Sequence, residues 1–376
     1  MPVRESASTR NTFASTFAPV RRLRTWGVVL AASAVLPAGL LAGCSKSTDD
    51  AMSSIVRTTT NIAGAGVVGL ERDTRQACAL PSAADATSST RSVTTANGSV
   101  EVPSDPKRIV VISTPALDAV CTLGLWERVV GAATISGVTG PTGEPEIQPS
   151  YFGTGIALLP AVGTVGSLDV AKIAELKPDV ILGAASDQAS YDALKGIAPT
   201  VLAGDENGWQ AQFTSLADAL GRKSAGAKAL DDYRTAARDA GASVAANLTQ
   251  ASVLRFDAKD IQVQGGNSFA GQVLADTGVL RPQAQRGDSF TVGTDLSKPA
   301  DRNKLEGDII YVMFNGPDGL KLGKSVMGGD DWKQLGAAGD KRVFAVEDTI
   351  WHGSGVTAAR ALVDDIRKSL NGYVTD

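Results

Sequence analysis

The chain has 376 residues, 43% of them hydrophobic and 20% charged, with a formal net charge of −4 and one histidine. One histidine and three cysteines cannot supply the converging ligands of a dedicated zinc or manganese binder. No block of Lys or Arg follows the N-terminal segment, so nucleic acid is excluded as an expected partner.

In chain order, the first element is a leader. Arg21, Arg22 and Arg24 precede an uncharged, largely apolar segment from Thr25 to Leu41, the basic and apolar regions of a secretory signal. The segment is short for a bilayer span. Its ending, "LAGC", resembles the lipobox of bacterial lipoproteins. That resemblance implies removal of residues 1–43 and acylation of Cys44, with palmitate among the expected chains. The leader carries five Arg and one Glu, so its removal moves the net charge from −4 to −8. Cys78 and Cys121 then remain, and outside the cytoplasm such a pair usually bonds; two buried free thiols are the alternative. A bridge would close a loop of about 44 residues, worth roughly 4 kcal/mol.

Residues 44–98 are rich in Ser, Thr, Ala and Gly and read as a tether without a core of its own. From residue 99 the pattern changes. "RIVVIS" (108–113) is a β-branched run, and Leu117, Val120, Cys121 and Leu125 then recur at helical spacing. "RVVGAAT", "VAKIAELKP", "DVILGAA", "YDALKGIAP" and "TVLAG" continue the alternation, which implies a parallel sheet with covered faces. This lobe is expected over 99–222. A helix follows within 223–249, from a Ser224 N-cap to Leu248, about 37 Å long, with Leu230, Tyr233, Ala237 and Val244 on one stripe. Strand and helix signals resume over 250–376 with "ASVLRF", "IQVQGGNSFAGQVLADTG", "DIIYVMFNG", "KRVFAVED" and "GVTAARALVDDIRKSL". The expected fold is α/β: two lobes with mainly parallel sheets joined by one long inter-lobe helix.

"DPKRIVVISTPALDAVCTLGLWERVVGAAT", "AVGTVGSLDVAKIAELKPDVILG" and the closing "KRVFAVEDTIWHGSGVTAARALVDDI" resemble class III periplasmic binding proteins, which serve importers of ferric siderophores, haem and cobalamin. The extra "TTTNIAGAGVVG" and "QPSYFG", with Cys78 and Cys121, look similar to the mycobacterial ferric-dicitrate-type binding lipoproteins. The resemblance implies ligand capture between the lobes with little closure, no cofactor and no catalysis. It also implies a monomer anchored on the outer face of the cytoplasmic membrane, and docking on an ABC permease through one acid per lobe. Asp295 matches the second acid. The first position holds Ala171, so half of that signal is missing.

Ligands of open parallel sheets meet the loops at the carboxyl ends of strands. That rule selects Thr114, Val165, Ser167, Ser186 and Trp209 in the first lobe, with Tyr151 in the long Pro/Gly loop. In the second lobe it selects Arg255, Arg286, Phe314, Trp351 and His352. Aromatic walls suit a large chelated ligand, and Arg255 and Arg286 suit carboxylates. For haem, Tyr151 or His352 is the candidate axial ligand. Of the pair Trp351 and His352, the tryptophan is the expected cleft wall. Three alternatives compete: cobalamin or another large chelate, an envelope adaptor that uses the cleft little, and a serine hydrolase. The last rests on "GGNSFAG", which nearly matches a nucleophile elbow at Ser268, with His352 downstream.

Overall fold

The computed structural model describes residues 60–371 apart from 87, 96, 139 and 141–145; the leader, Cys44 and the first part of the expected tether lie outside the described residues. The strands in chain order are β1 (Asn61–Ile62), β2 (Ala65–Val67), β3 (Thr90–Thr95), β4 (Gly98–Pro103), β5 (Ile109–Val111), β6 (Val129–Thr134), β7 (Ala161–Thr164) and β8 (Ser167–Leu168). They continue with β9 (Val180–Ala184), β10 (Thr200–Ala203), β11 (Ala251–Phe256), β12 (Ile261–Val263), β13 (Phe290–Val292), β14 (Ile309–Phe314) and β15 (Val343–Ala345). Seven helices matter below: α1 (Thr114–Thr122), α2 (Val170–Glu175), α3 (Trp209–Ala219), α4 (Lys223–Ser243), α5 (Phe269–Thr277), α6 (Gly316–Met327) and α7 (Val356–Leu370).

The β-branched runs are buried on both faces, as covered parallel strands require; Ile109, Val110 and Val111 are at most 1% exposed. In the first lobe the order is β10-β9-β5-β6-β7-β8, parallel throughout except for the terminal β7–β8 turn. In the second lobe the order is β1-β2-β15-β14-β11-β12-β13. Its β2, β15, β14 and β11 run parallel, and β12 and β13 return as antiparallel edge strands. The fold is the expected mixed α/β architecture with mainly parallel sheets.

The connecting helix α4 is shorter than expected. Its 21 residues span about 31 Å, because Ala245 adopts a left-handed backbone (φ 48°) and a 3₁₀ turn, Ala246–Leu248, follows. Ser224 is not the N-cap. Arg222 holds that position, and the Asp85 carboxylate accepts the Ser224 N–H at 3.3 Å. Gly226, Leu230, Tyr233, Ala237 and Gly241 form the buried stripe, one residue per turn as an amphipathic helix requires. Gly241 is needed for close packing on α5, since a Cβ there would stand 1.8 Å from the Thr277 carbonyl oxygen.

The described part of the expected tether is folded, contrary to its composition. Ile62, Ala65, Val67 and Val68 are buried, and β2 pairs in parallel with β15, Gly66 opposite Phe344. The chain then runs back across both lobes. Arg72 donates to Asp365 of α7 at 2.8 Å and to the Ala361 carbonyl at 3.1 Å. The sulfurs of Cys78 and Cys121 stand at bonding distance, 2.07 Å. Ser82 caps the Leu123 carbonyl at 2.6 Å and accepts from Arg222 at 3.0 Å. Small residues suffice here because sheet pairing and buried polar contacts, rather than large apolar side chains, hold this strap down.

A loop of the first lobe meets the second lobe through acids. Ser150 donates to Glu347 at 2.9 Å, as does Thr349 at 2.8 Å. Burial, then repulsion from Glu347, pushes the Glu146 carboxyl up to about 7. A raised carboxyl pKa in the folded state means that the folded protein holds the proton more tightly than the unfolded chain. Its contribution is therefore full below the ordinary glutamate pKa and is lost as pH rises toward 7. Glu146→Gln is expected to leave stability at pH 5 almost unchanged. At pH 8 the variant should be the more stable by about 2 kcal/mol, after discounting for partial exposure. Thermal unfolding at the two pH values checks this, and equal losses in both proteins would refute it.

Candidate ligand-binding site

Loops at the carboxyl ends of the strands line a cleft of about 920 Å³. The first lobe contributes Ser113 to Pro115 after β5, Val165 after β7, Ala184 and Ser186 after β9, and Asp205 to Trp209 after β10. Gln264, Asn267 to Phe269, Gln272, Asp288, Ser289 and His352 to Ser354 come from the second. Each is positioned by local structure. The Ser113 hydroxyl caps α1 at the Ala116 N–H, 3.4 Å. Gly208, at φ 84°, turns the chain into α3 and sets Trp209 at its first position.

The cleft floor joins the lobes. Trp209 meets Phe269 edge to face, ring centroids 5.5 Å apart, and Tyr233 of α4 at 5.2 Å. Ser354 donates to Gln212 at 2.9 Å; Gln212 in turn donates to the Ala203 carbonyl at 3.2 Å, and Gln210 donates to Asp276 at 3.1 Å. Trp209 is 3% exposed and its Nε1 has no protein acceptor. A buried unpaired donor costs about 1–3 kcal/mol.

Of the predicted contacts, Thr114, Val165, Ser186, Trp209 and His352 meet in this cleft. The others do not line it. Ser167 is exposed on β8. Tyr151 is 2% exposed, packed on Phe152 at 4.1 Å, and burial pushes its hydroxyl well above the usual tyrosine range. It is a core residue and no axial ligand. Phe314 stacks on Phe256 inside the second lobe, 5.8 Å apart. Arg255 is engaged by Asp348 through a forked pair at 2.6 and 2.9 Å. Arg286 is exposed, with its Nε on the Arg281 carbonyl at 3.3 Å.

The pair in "TIWHGSG" is reversed. Trp351 is fully buried, 4.3 Å from Tyr311, and its Nε1 donates to Asp365 at 3.0 Å. His352 reaches the cleft. Desolvation by the wall and the neighbouring Arg255 guanidinium push its pKa below the usual histidine range, so it stands neutral at pH 7. The sequence reading missed Asp205 to Gly208 and, further on, Gln264, Asn267 to Phe269 and Gln272. Both follow strands and fall under the same strand-end rule, but "GGNS" drew attention as a nucleophile turn. Ser268 instead caps α5: its hydroxyl donates to the Gly265 carbonyl at 2.7 Å and accepts from the Gly271 N–H at 3.1 Å. That hydroxyl proton is committed to a carbonyl, whereas a nucleophile must hand its proton to a base. Among the described residues no group of three or more His, Cys, Asp or Glu is placed to hold a metal ion.

Two α/β lobes about a polar cleft, braced by one helix, define a binding protein. The chain belongs to the periplasmic binding protein family, whose pattern matches residues 109–349. It is 30% identical to the probable siderophore-binding lipoprotein YfiY of Bacillus subtilis (strain 168), over 74% of this chain and 87% of that one. It is 25% identical to the Fe(3+)-citrate-binding protein YfmC of the same organism, over 73% and 84%. Staphylococcus aureus SirA complexed with staphyloferrin B has the same fold, with a TM-score of 0.62 at 23% identity, over 75% of this chain and 99% of that one.

Of the two positions expected to meet a permease, Asp295 is exposed and accepts from the Ser297 N–H at 3.1 Å and hydroxyl at 2.6 Å. Ala171 is exposed at the start of α2. The nearby Asp169 caps that helix at the Lys172 N–H, 3.0 Å.

Proposed function

We propose that the protein captures a ferric chelate of the siderophore type outside the cytoplasm and delivers it for uptake. The observation that carries this reading is the polar cleft of about 920 Å³ between the lobes, in a chain whose relatives include proteins named for siderophore and ferric-citrate binding. Thr114, Val165, Ser186, Trp209 and His352 are the proposed ligand contacts. Residues 1–43 would be a leader, Cys44 the lipid-bearing residue, and Cys78–Cys121 a disulfide. Residues 99–222 and 250–376 would be the two lobes, the second completed by β1 and β2, with 223–249 as the link. A monomer would meet an ABC permease through Asp295, with Ala171 offering no charge on the other lobe. Binding would proceed with little closure, since direct bonds join the lobes along the cleft floor.

Fluorescence titration with ferric chelates of several classes tests the reading. We expect saturable quenching, with Trp209→Phe losing most of the signal and binding about 5–10-fold more weakly, as for a smaller ring on the cleft floor. If neither a ferric chelate nor haemin alters the fluorescence or co-elutes with the protein, the reading fails.

A further inference from the structure

The charge of the cleft carries the reading further. Asp205 and Glu206 stand exposed on one rim and Asp288 on the other. Among the described residues no Lys or Arg lines the cleft. Of the second-lobe guanidinium groups near it, Arg255 and Arg281 are engaged by the protein, while Arg286, two residues before Asp288, is exposed outside the lining with its Nε on the Arg281 carbonyl. Arg255 is forked onto Asp348, and Arg281 is 7% exposed, donating to the Ala251 and Gln264 carbonyls and to Gln285. The polar groups that line the cleft besides the three acids are amides, hydroxyls and a neutral imidazole, among them Asn207, Gln264 and Gln272.

Ferric chelates divide by charge. Three hydroxamates neutralise ferric iron, and a linear trihydroxamate with a free amine becomes a cation. Three catecholates leave a strongly negative complex, and hydroxycarboxylate chelates also retain negative charge. A site for such anions needs charge-assisted donors, usually guanidinium groups, and three carboxylates without a cation repel them. Resting on the binding reading above, we infer that this cleft takes a neutral or cationic ferric chelate of the hydroxamate class and rejects catecholate and carboxylate chelates.

The test uses four probes at about 0.15 M salt: a ferric trihydroxamate with a terminal ammonium, its N-acetylated neutral form, a ferric tricatecholate and ferric citrate. Both hydroxamates should bind, the ammonium form more tightly, and both anions at least about 100-fold more weakly. Replacing Asp205→Asn together with Glu206→Gln should weaken the ammonium form several-fold more than the acetylated form. A tricatecholate or citrate complex that binds as tightly as the hydroxamates overturns the inference and leaves the binding reading intact. Failure of all four probes, with haemin also silent, overturns both.

Discussion

Asp118→Ala is expected to destabilise the protein by about 3–5 kcal/mol and to loosen one lobe from the other. Asp118 lies in α1 of the first lobe and is fully buried. Its two oxygens accept the Thr357 and Ala358 N–H groups at 3.0 and 2.9 Å, the first turn of α7 in the second lobe. Thr122 donates to it at 3.0 Å and meets Thr357 at 2.9 Å. Helix N-termini carry unpaired N–H groups and a partial positive charge, so one carboxylate satisfies two donors there. Burial pushes its carboxyl up to about 6 despite these donors, leaving it ionised at neutral pH. Removing it strands both donors in a dry interface, each at about 1–3 kcal/mol. Gly355, at φ 120°, completes the fit, since a Cβ there would stand 2.2 Å from the Asp118 carboxyl carbon. Denaturant unfolding gives the loss, and hydrogen exchange should locate it at the start of α7. A loss under 1 kcal/mol, or protection unchanged in α7, would count against this lock.

The second large effect is expected at Arg72. Asp365 is fully buried and accepts from Arg72 at 2.8 Å and Trp351 at 3.0 Å. Arg72→Ala leaves that carboxylate buried with one neutral donor, at a cost of about 3–5 kcal/mol. Adding Asp365→Asn should recover part of the loss, because the unpaired charge disappears; a double-mutant cycle measures the coupling. Strict additivity of the two substitutions would show that the pair does not hold the strap.

The α/β plan was legible because period and composition agree: β-branched runs such as "RIVVIS" and "DIIYV" became buried parallel strands. The strap was not. "NIAGAGVV" has the small residues of a linker, and its pairing into the sheet comes from β15, a partner about three quarters of the chain away. The site was legible at the level of loops and not of side chains. The strand-end rule finds the turn that holds Trp351 and His352. On that short helical turn, successive residues point about 100° apart, so one enters the core and the other the cleft. Tyr151 failed for a related reason: Pro and Gly mark a loop, yet Gln148, Pro149, Tyr151 and Phe152 within it are buried.

The pairing of Gly66 with Phe344 has a consequence for assembly. The second lobe's sheet takes strands from both ends of the chain, so its edge cannot form until β15 has emerged. A chain that emerges amino-end first must therefore hold the β1–β2 hairpin without its β15 partner while every other strand is made. The shortness of β1 and β2, two and three residues, limits the edge that waits for other chains to pair with. The earliest residues of the fold are then the last to be sewn in.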